Sequence, residues 1–470
     1  MGDGLGRLSE RPMQTDITDI GTCAITFPPG VYADVRLEQT VDHRITLKDG
    51  ELDDVLSRVE TGALLRVLKD GCWYFASTTD MDRIDAQLAE LAASDALPQG
   101  APLDMAQMLQ VHVEDKRIFL DEPVDAVAVQ DKLSLLRQFC GLLDRADIKN
   151  WVGVWMDQRR DRRFVSSLGA DVRQDYQEAG FRLRYTIASG EESLQEIFSR
   201  ADHRFSDIAE HVDRLKAEGT AYIDKCARFV RDAVAVEPGQ YPVVLSPKVA
   251  GVFAHESFGH KSEADFMLGD PAMLEDWKMG TRIGPDMLSI VDYGGEVGSG
   301  WAPFDDEGQA ASKTYLIKDG LLTGRLHAAY TASALGEGCT GNARAISFRY
   351  EPIVRMTTTW IEPGDLTEAE LFAGVEDGYF IESYKHGSGM STFTIAPSLA
   401  WRIRDGKVAE PVRIAVITGS VFETMGEIDG LSDTIERPFL LGGGCGKMEQ
   451  WPLSVGFGGP HVRIKRMTVS

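Results

Sequence analysis

The sequence predicts an α+β chain, with an α/β front built from β-meanders each followed by a helix, and a back half rich in β-structure. Two observations carry this reading. Asp-Gly pairs at Asp49-Gly50, Asp70-Gly71, Asp319-Gly320 and Asp405-Gly406 stand beside extended runs, and both residue types tolerate the positive φ of tight hairpin turns. Helical spacing follows the extended runs in the front, whereas runs such as Val412 to Thr418 and Val462 to Met467 make the back half β-dominated.

Taken in order, residues 1–30 read as an N-terminal extension. Met1 to Pro12 is polar and glycine-rich, with no apolar stretch behind a basic patch, which argues against a secretory signal. Gly6 stands where a myristoylation motif wants Ser or Thr. Extended runs at Ala63 to Leu68 and Cys72 to Ala76 precede helical spacing from Met81 to Ala93, and Pro98 to Pro102 reads as a linker, a sub-boundary within 31–236. A second unit of similar kind has a helix near Gln130 to Leu143 and extended segments at Trp151 to Trp155, Phe164 to Ser167 and Phe181 to Thr186. It closes on a long helix from Ile208 to Val234. Pro238-Gly239 marks the next boundary, giving a front domain of 31–236 and a back domain of 237–470.

The 470 residues, 43% hydrophobic and 26% charged, are enough for two or three domains with full cores. No run of about 18 apolar residues exists, so no membrane span is expected. Six scattered cysteines argue against both a disulfide framework and a zinc ribbon and favour the cytoplasm. A net charge of −24 repels phosphate backbones, so direct nucleic-acid binding finds no electrostatic support and is not expected.

Val243 to Leu245 is a short strand leading into His255-Glu256-Ser257-Phe258-Gly259-His260, the most informative stretch. Two imidazoles and a carboxylate there suit a hydrolytic metal site: imidazole nitrogen is a preferred zinc ligand, and a neighbouring carboxylate can take a proton from water. The spacing is unusual. Residues five apart on an α-helix are rotated by ~500°, leaving the rings roughly 140° apart, so a π-type turn is needed to aim both at one ion. Gly259 is expected to ease that distortion through unusual backbone angles. Cys445, in Leu441-Gly442-Gly443-Gly444-Cys445-Gly446-Lys447, is the best third ligand. The same run fails as a phosphate loop, because Met448 follows Lys447 where a hydroxyl is required and Leu441 occupies the first glycine position.

These residues, with Phe304-Asp305-Asp306-Glu307-Gly308, Thr340-Gly341-Asn342-Ala343-Arg344, Pro352-Ile353-Val354-Arg355-Met356-Thr357 and Gly444-Cys445-Gly446-Lys447 in this order, resemble the TldD/PmbA family, often labelled modulators of DNA gyrase. The resemblance runs from about Tyr32 to the C-terminus. It implies a barrel-like catalytic domain and a TldD-type zinc metalloprotease acting on peptides, with His255, His260 and Cys445 as metal ligands and Glu256 as general base. It also implies a dimer, either with itself or with a metal-free TldE/PmbA-like sister.

Asp305, Asp306 and Glu307 are candidates to orient the ligand imidazoles, which usually give their second N–H to a carboxylate or carbonyl. Read blandly, they form a solvated turn. Arg344 is a candidate to hold a peptide carboxylate or an oxyanion, against a buried structural ion pair. His386 beside Gly387-Ser388-Gly389 carries little weight, and no nucleophile elbow or dinucleotide fingerprint occurs. The expected function is zinc-dependent peptide hydrolysis. Its rivals are a zinc amidase or deacylase acting on a modified small molecule, and a non-catalytic regulatory subunit.

Overall fold

A computed structural model describes residues 20–95 and 105–470. Most of the expected N-terminal extension and the linker Pro98 to Pro102 lie outside the described residues. The front half is one long-stranded sheet of β1 (Tyr32–Lys48), β2 (Glu51–Lys69), β3 (Cys72–Thr78), β4 (Val113–Lys116), β5 (Ile148–Ser166), β6 (Asp171–Ser189) and β7 (Glu192–Asp202). Its order is β3-β2-β1-β5-β6-β4, with β7 also on β6. Two meanders lie back to back through the antiparallel β1–β5 pairing, which runs from Asp34↔Ser166 to Lys48↔Val152.

Each meander leads into helix: α1 (Ile84–Ala93) after the first, and α3 (Phe205–Ala209) and α4 (Val212–Asp232) after the second. α2 (Val129–Cys140) precedes the second. Alternate strand residues meet these helices, so Leu136, Phe139, Phe181, Leu183, Phe198 and Ile223 are buried in one cluster. The rings of Phe139 and Phe181 stack at 3.8 Å. The expected runs Trp151 to Trp155 and Phe164 to Ser167 prove to be two ends of the single strand β5. Asp157 to Arg163 between them is polar, with Gln158 bonded to Asp42 of the same sheet and Arg162 paired with Asp306 of the back half, which hides the strand from a hydrophobicity reading. The expected long helix breaks at Glu210–His211 into α3 and α4.

The back half contains the expected barrel. Gly239–Leu245 pairs with Val462–Val469 and Asp377–Gly389, Val462–Val469 with Ile417–Ser420, and Ile417–Ser420 with Thr392–Arg404. Thr392–Arg404 then pairs with Asp377–Gly389, closing five strands into a ring. The expected single run Val412 to Thr418 is two elements, Lys407–Arg413 and Ile417–Ser420. The chain turns a corner at Ala415 and Val416, whose N–H groups donate to the Ser470 carbonyl. A second sheet runs Leu321–Leu322, Thr314–Lys318, Ile290–Asp292, Thr358–Ile361, Gly456–Gly458.

Between barrel and second sheet lies α5 (Pro247–Ala254), packed on Asp377–Gly389, Thr358–Ile361 and Gly456–Gly458. Ser246 caps it, its Oγ accepting from Val249 N–H at 3.2 Å, and Pro247 opens the first turn. Residues 249–254 are buried throughout, so α5 is fixed from all sides. That rigidity positions the turn at its C-terminal end.

Candidate metal centre

α5 ends in a π turn over His255–Gly259 and then a 3-10 turn over His260–Ser262. The His260 N–H donates to the His255 carbonyl, five residues back, the wider bond that a regular helix lacks. The ring centroids are consequently only 5.2 Å apart. Gly259 serves this turn differently from expectation. Its backbone is ordinary right-handed helix, φ −56°, ψ −51°, and the reason for glycine is space: a β-carbon there would lie 2.1 Å from Met356 Sδ.

Cys445 arrives from 185 residues away on the short hairpin Cys445–Lys447 and Gln450–Leu453. Its Sγ is 3.2 Å from His260 Nε2, and one ligand atom each from His255, His260 and Cys445 lie within 4.8 Å of one another. Bonds of 2.0–2.3 Å to a tetrahedral ion separate its ligands by roughly 3.5 Å, so two nitrogens and a sulfur at this spacing fit zinc. His255 is 2% exposed and its Nδ1 has no hydrogen-bond partner, a buried polar atom that protein groups leave unsatisfied.

Electrostatics favour the ligating form of the thiol. Burial alone would raise the Cys445 pKa, but His255 and His260 outweigh it and bring it down to about 5. For His260, burial works downward, yet the hydrogen bonds to Cys445 and Glu263 raise its pKa to about 10. The Glu256 carboxyl, inside the same turn, is pushed above the usual carboxylate range by burial, against the lowering influence of His255 and His260.

The acidic run is elsewhere. Asp306 pairs with Arg36 and Arg162, each at 3.0 Å, and Glu307 with Arg66 at 3.0 Å. Asp305 accepts from the N–H groups of Glu307, Gln309 and Ala343. Neither of the expected roles, imidazole orientation or a solvated turn, holds. All three residues are 2% exposed, and Asp306 and Glu307 tie the back half to front-sheet arginines that sequence separation conceals. Arg344 is likewise a buried strut and not a carboxylate holder, donating to the carbonyls of Met356 at 2.7 Å and Ser454 at 2.9 Å. His386 is exposed on the strand Asp377–Gly389.

The imidazole's carboxylate is Glu263, whose Oε2 meets His260 Nδ1 at 3.1 Å. Sequence reasoning missed it, although a carboxylate three residues beyond a ligand histidine was a usable signal. It also missed Lys447, whose Nζ bonds Asp265 at 2.6 Å, and Arg355, which donates to the Cys445 carbonyl at 2.7 Å.

A profile of the PmbA/TldA metallopeptidase C-terminal domain matches residues 238–470, and one of PmbA/TldA metallopeptidase domain 1 matches residues 33–96. A metalloprotease of Synechocystis sp. is 33% identical over 458 residues, covering 93% of this chain and 94% of the relative. A zinc metalloprotease TldD homolog of Saccharolobus solfataricus is 25% identical over 449 residues, 93% of this chain and 96% of the relative. Among solved structures, a Thermotoga maritima protein described as a modulator of a DNA gyrase superposes with TM-score 0.74 at 16% identity, covering 94% of this chain and 96% of that one. TldE of Thermococcus kodakarensis gives 0.70 at 16% identity, covering 93% and 96%. With two profiles in register, a relative matched along nearly its whole length and the barrel shared with solved members, the chain belongs to the PmbA/TldD metallopeptidase family.

Proposed function

We propose that this protein is a zinc-dependent metallopeptidase that hydrolyses unfolded peptides, with His255, His260 and Cys445 holding the metal and Glu256 acting as general base. The observation that carries this reading is the convergence within 4.8 Å of three ligand atoms, from His255, His260 and Cys445, beside a turn that also bears the half-buried carboxylate of Glu256. The relatives named metalloproteases support it. Bound there, zinc supplies Lewis acidity toward a water molecule and the scissile carbonyl.

The chain's own groups do the rest. Glu256 takes a proton from the attacking water and passes it to the departing amine, and a carboxyl with raised proton affinity suits that shuttle. Glu263 fixes the ring of His260, and Arg355 fixes the backbone of Cys445. One thiolate and two neutral imidazoles contribute a single negative charge, so a dication held by them stays electrophilic. Peptides enter as added strands, with backbone pairing giving affinity and little sequence preference.

The proposal extends to assembly and place. The likeness to TldE supports pairing with a metal-free sister subunit or with a second copy. Six cysteines outside any disulfide support the cytoplasm, and no helix among the described residues is long and apolar enough to cross a membrane. The boundary near residue 237 separates the front half from the catalytic half.

Metal analysis by mass spectrometry on protein purified without a histidine tag, combined with an unstructured-peptide cleavage assay, tests the reading. About one zinc per chain together with cleavage is expected. A metal-free protein inert to peptides would overturn it, and hydrolysis of acylated amines with peptides untouched would shift it to an amidase.

A further inference from the structure

The glycine run that delivers Cys445 is gripped from the front half of the molecule. Three side chains of the front sheet converge on Leu441-Gly442. Glu178 Oε1 accepts from the Gly442 N–H at 3.0 Å, and the Arg182 guanidinium donates to the Leu441 carbonyl. A β-carbon on Gly442 would lie 2.1 Å from Met156 Cε, and the residue holds φ +50°. The positive φ favours glycine there, and a β-carbon would displace the end of the Met156 side chain. Met156 is opposite Gly180 in the β5–β6 register, and Gly180 separates Glu178 from Arg182 on one face of β6. The three form a single contiguous patch.

The charges on this patch are used unusually. Glu178 is 5% exposed, and its other oxygen accepts from the Tyr176 hydroxyl at 2.6 Å. Among the described residues, neither Glu178 nor Arg182 forms a salt bridge. The two charges act on each other without pairing, and Arg160 also acts on the Glu178 carboxyl. Here each instead holds one backbone group of the same loop, a charge-assisted bond stronger than a neutral one.

Three residues beyond this grip comes Cys445, whose carbonyl is held from the catalytic half by Arg355 at 2.7 Å. The segment Gly443-Gly444-Cys445 is therefore strung between two anchors, one from each half of the molecule. Glycines supply no side-chain packing of their own, so the anchors act together with the Cys445↔Leu453 pairing of the hairpin to set where the sulfur lies.

We propose that Glu178 and Arg182 are positioning residues for Cys445, so that docking of the front sheet completes the metal centre. This rests on the zinc reading above. It makes the metal site a reporter of the contact between the two halves, and no motif near the ligands encodes it.

The test replaces zinc with cobalt(II) in full-length protein and reads the thiolate-to-cobalt charge-transfer absorption, which reports the Cys445–metal bond independently of turnover. Glu178→Ala and Arg182→Ala are each expected to lose most of that band and to bind zinc about tenfold more weakly. Glu178→Gln and Arg182→Lys, which keep an acceptor and a donor, are expected to restore both. In metal-free protein, alkylation of Cys445 should accelerate in the alanine variants while the buried Cys140 and Cys226 stay protected. Loss of protection at all three thiols means unfolding, and the comparison of Arg182→Lys with Arg182→Gln, at a half-buried position, then decides. A full band and unchanged Cys445 alkylation in the folded alanine variants, or in Arg182→Gln, would overturn the assignment. A wild type with no thiolate band would instead refute the zinc reading.

Discussion

Lys447 Nζ lies 3.1 Å from Glu263 Oε2, the same oxygen that meets His260 Nδ1 at 3.1 Å. One carboxylate thus serves a lysine and a ligand imidazole together. Lys447 is two residues past Cys445, so the hairpin that brings one ligand also brings the charge that steadies the partner of another. Burial alone would raise the Glu263 pKa, but His260 and Lys447 hold it below the usual carboxylate range. It stays an anion, able to accept the His260 N–H and leave Nε2 facing the sulfur.

Glu263→Gln is therefore expected to weaken zinc binding by roughly 10–100-fold while the protein stays folded, since a neutral amide orients the ring less firmly. Lys447→Met should change affinity in the same direction. Competition with a chromophoric chelator measures both. Wild-type affinity in Glu263→Gln would mean that the π turn alone aims the ring.

The metal-free centre carries its own pH window. Cys445, depressed to about 5 from 9.0, contributes stability that is full above the unfolded value and lost as pH falls through 5. His260, raised to about 10 from 6.5, contributes stability that is full below 6.5 and lost as pH rises through 10. The two describe one thiolate–imidazolium pair, present between those limits. Zinc binding at pH 7 should accordingly release about one proton, from His260. Calorimetry in buffers of different ionisation enthalpy counts it. Release of two protons would show that the thiol is not pre-ionised.

Much of this was legible locally. His255 and His260, five apart, require a π turn from their spacing alone. Asp49, Asp70, Asp319 and Asp405 all adopt the positive φ that their Asp-Gly pairs implied. What stayed hidden is non-local. Asp306 meets Arg36 and Arg162 across 270 and 144 residues, and no periodicity records such a partner. β5 was hidden because its middle, Asp157 to Arg163, is polar, with partners such as Asp42 and Asp306 supplied from far along the chain. Gly259 was noticed for the wrong property, since its need for space depends on Met356, almost a hundred residues on.

The same buried pairs predict a large stability effect away from the metal. Asp306→Ala takes the carboxylate from Arg36, which is 2% exposed, leaves Arg162 with Glu38 alone, and leaves the Ala345 N–H without its 2.7 Å acceptor. A loss of about 3–5 kcal/mol is expected. Glu410→Ala, which removes an exposed pair with Arg404, should cost less than ~1 kcal/mol. Urea denaturation followed by tryptophan fluorescence compares them, and equal small effects would show that the two halves are held together by something other than this network.

The last prediction separates metal binding from proton transfer. Glu256→Gln preserves shape and leaves His255, His260 and Cys445 in place, so zinc content and peptide affinity should match the wild type. An amide cannot accept the water's proton, and single-turnover cleavage of an unstructured peptide should fall ~10²–10⁴-fold. His255→Ala and Cys445→Ser should instead lose zinc and activity together while keeping the fold, because each removes a ligand. In the wild type, the acid limb of the pH–rate profile should lie above the ordinary carboxylate value, in the direction that burial shifts Glu256. Equal single-turnover rates for wild type and Glu256→Gln at equal zinc content would remove Glu256 as the base. Attention would then pass to Glu263, the other carboxylate within reach of the ligands.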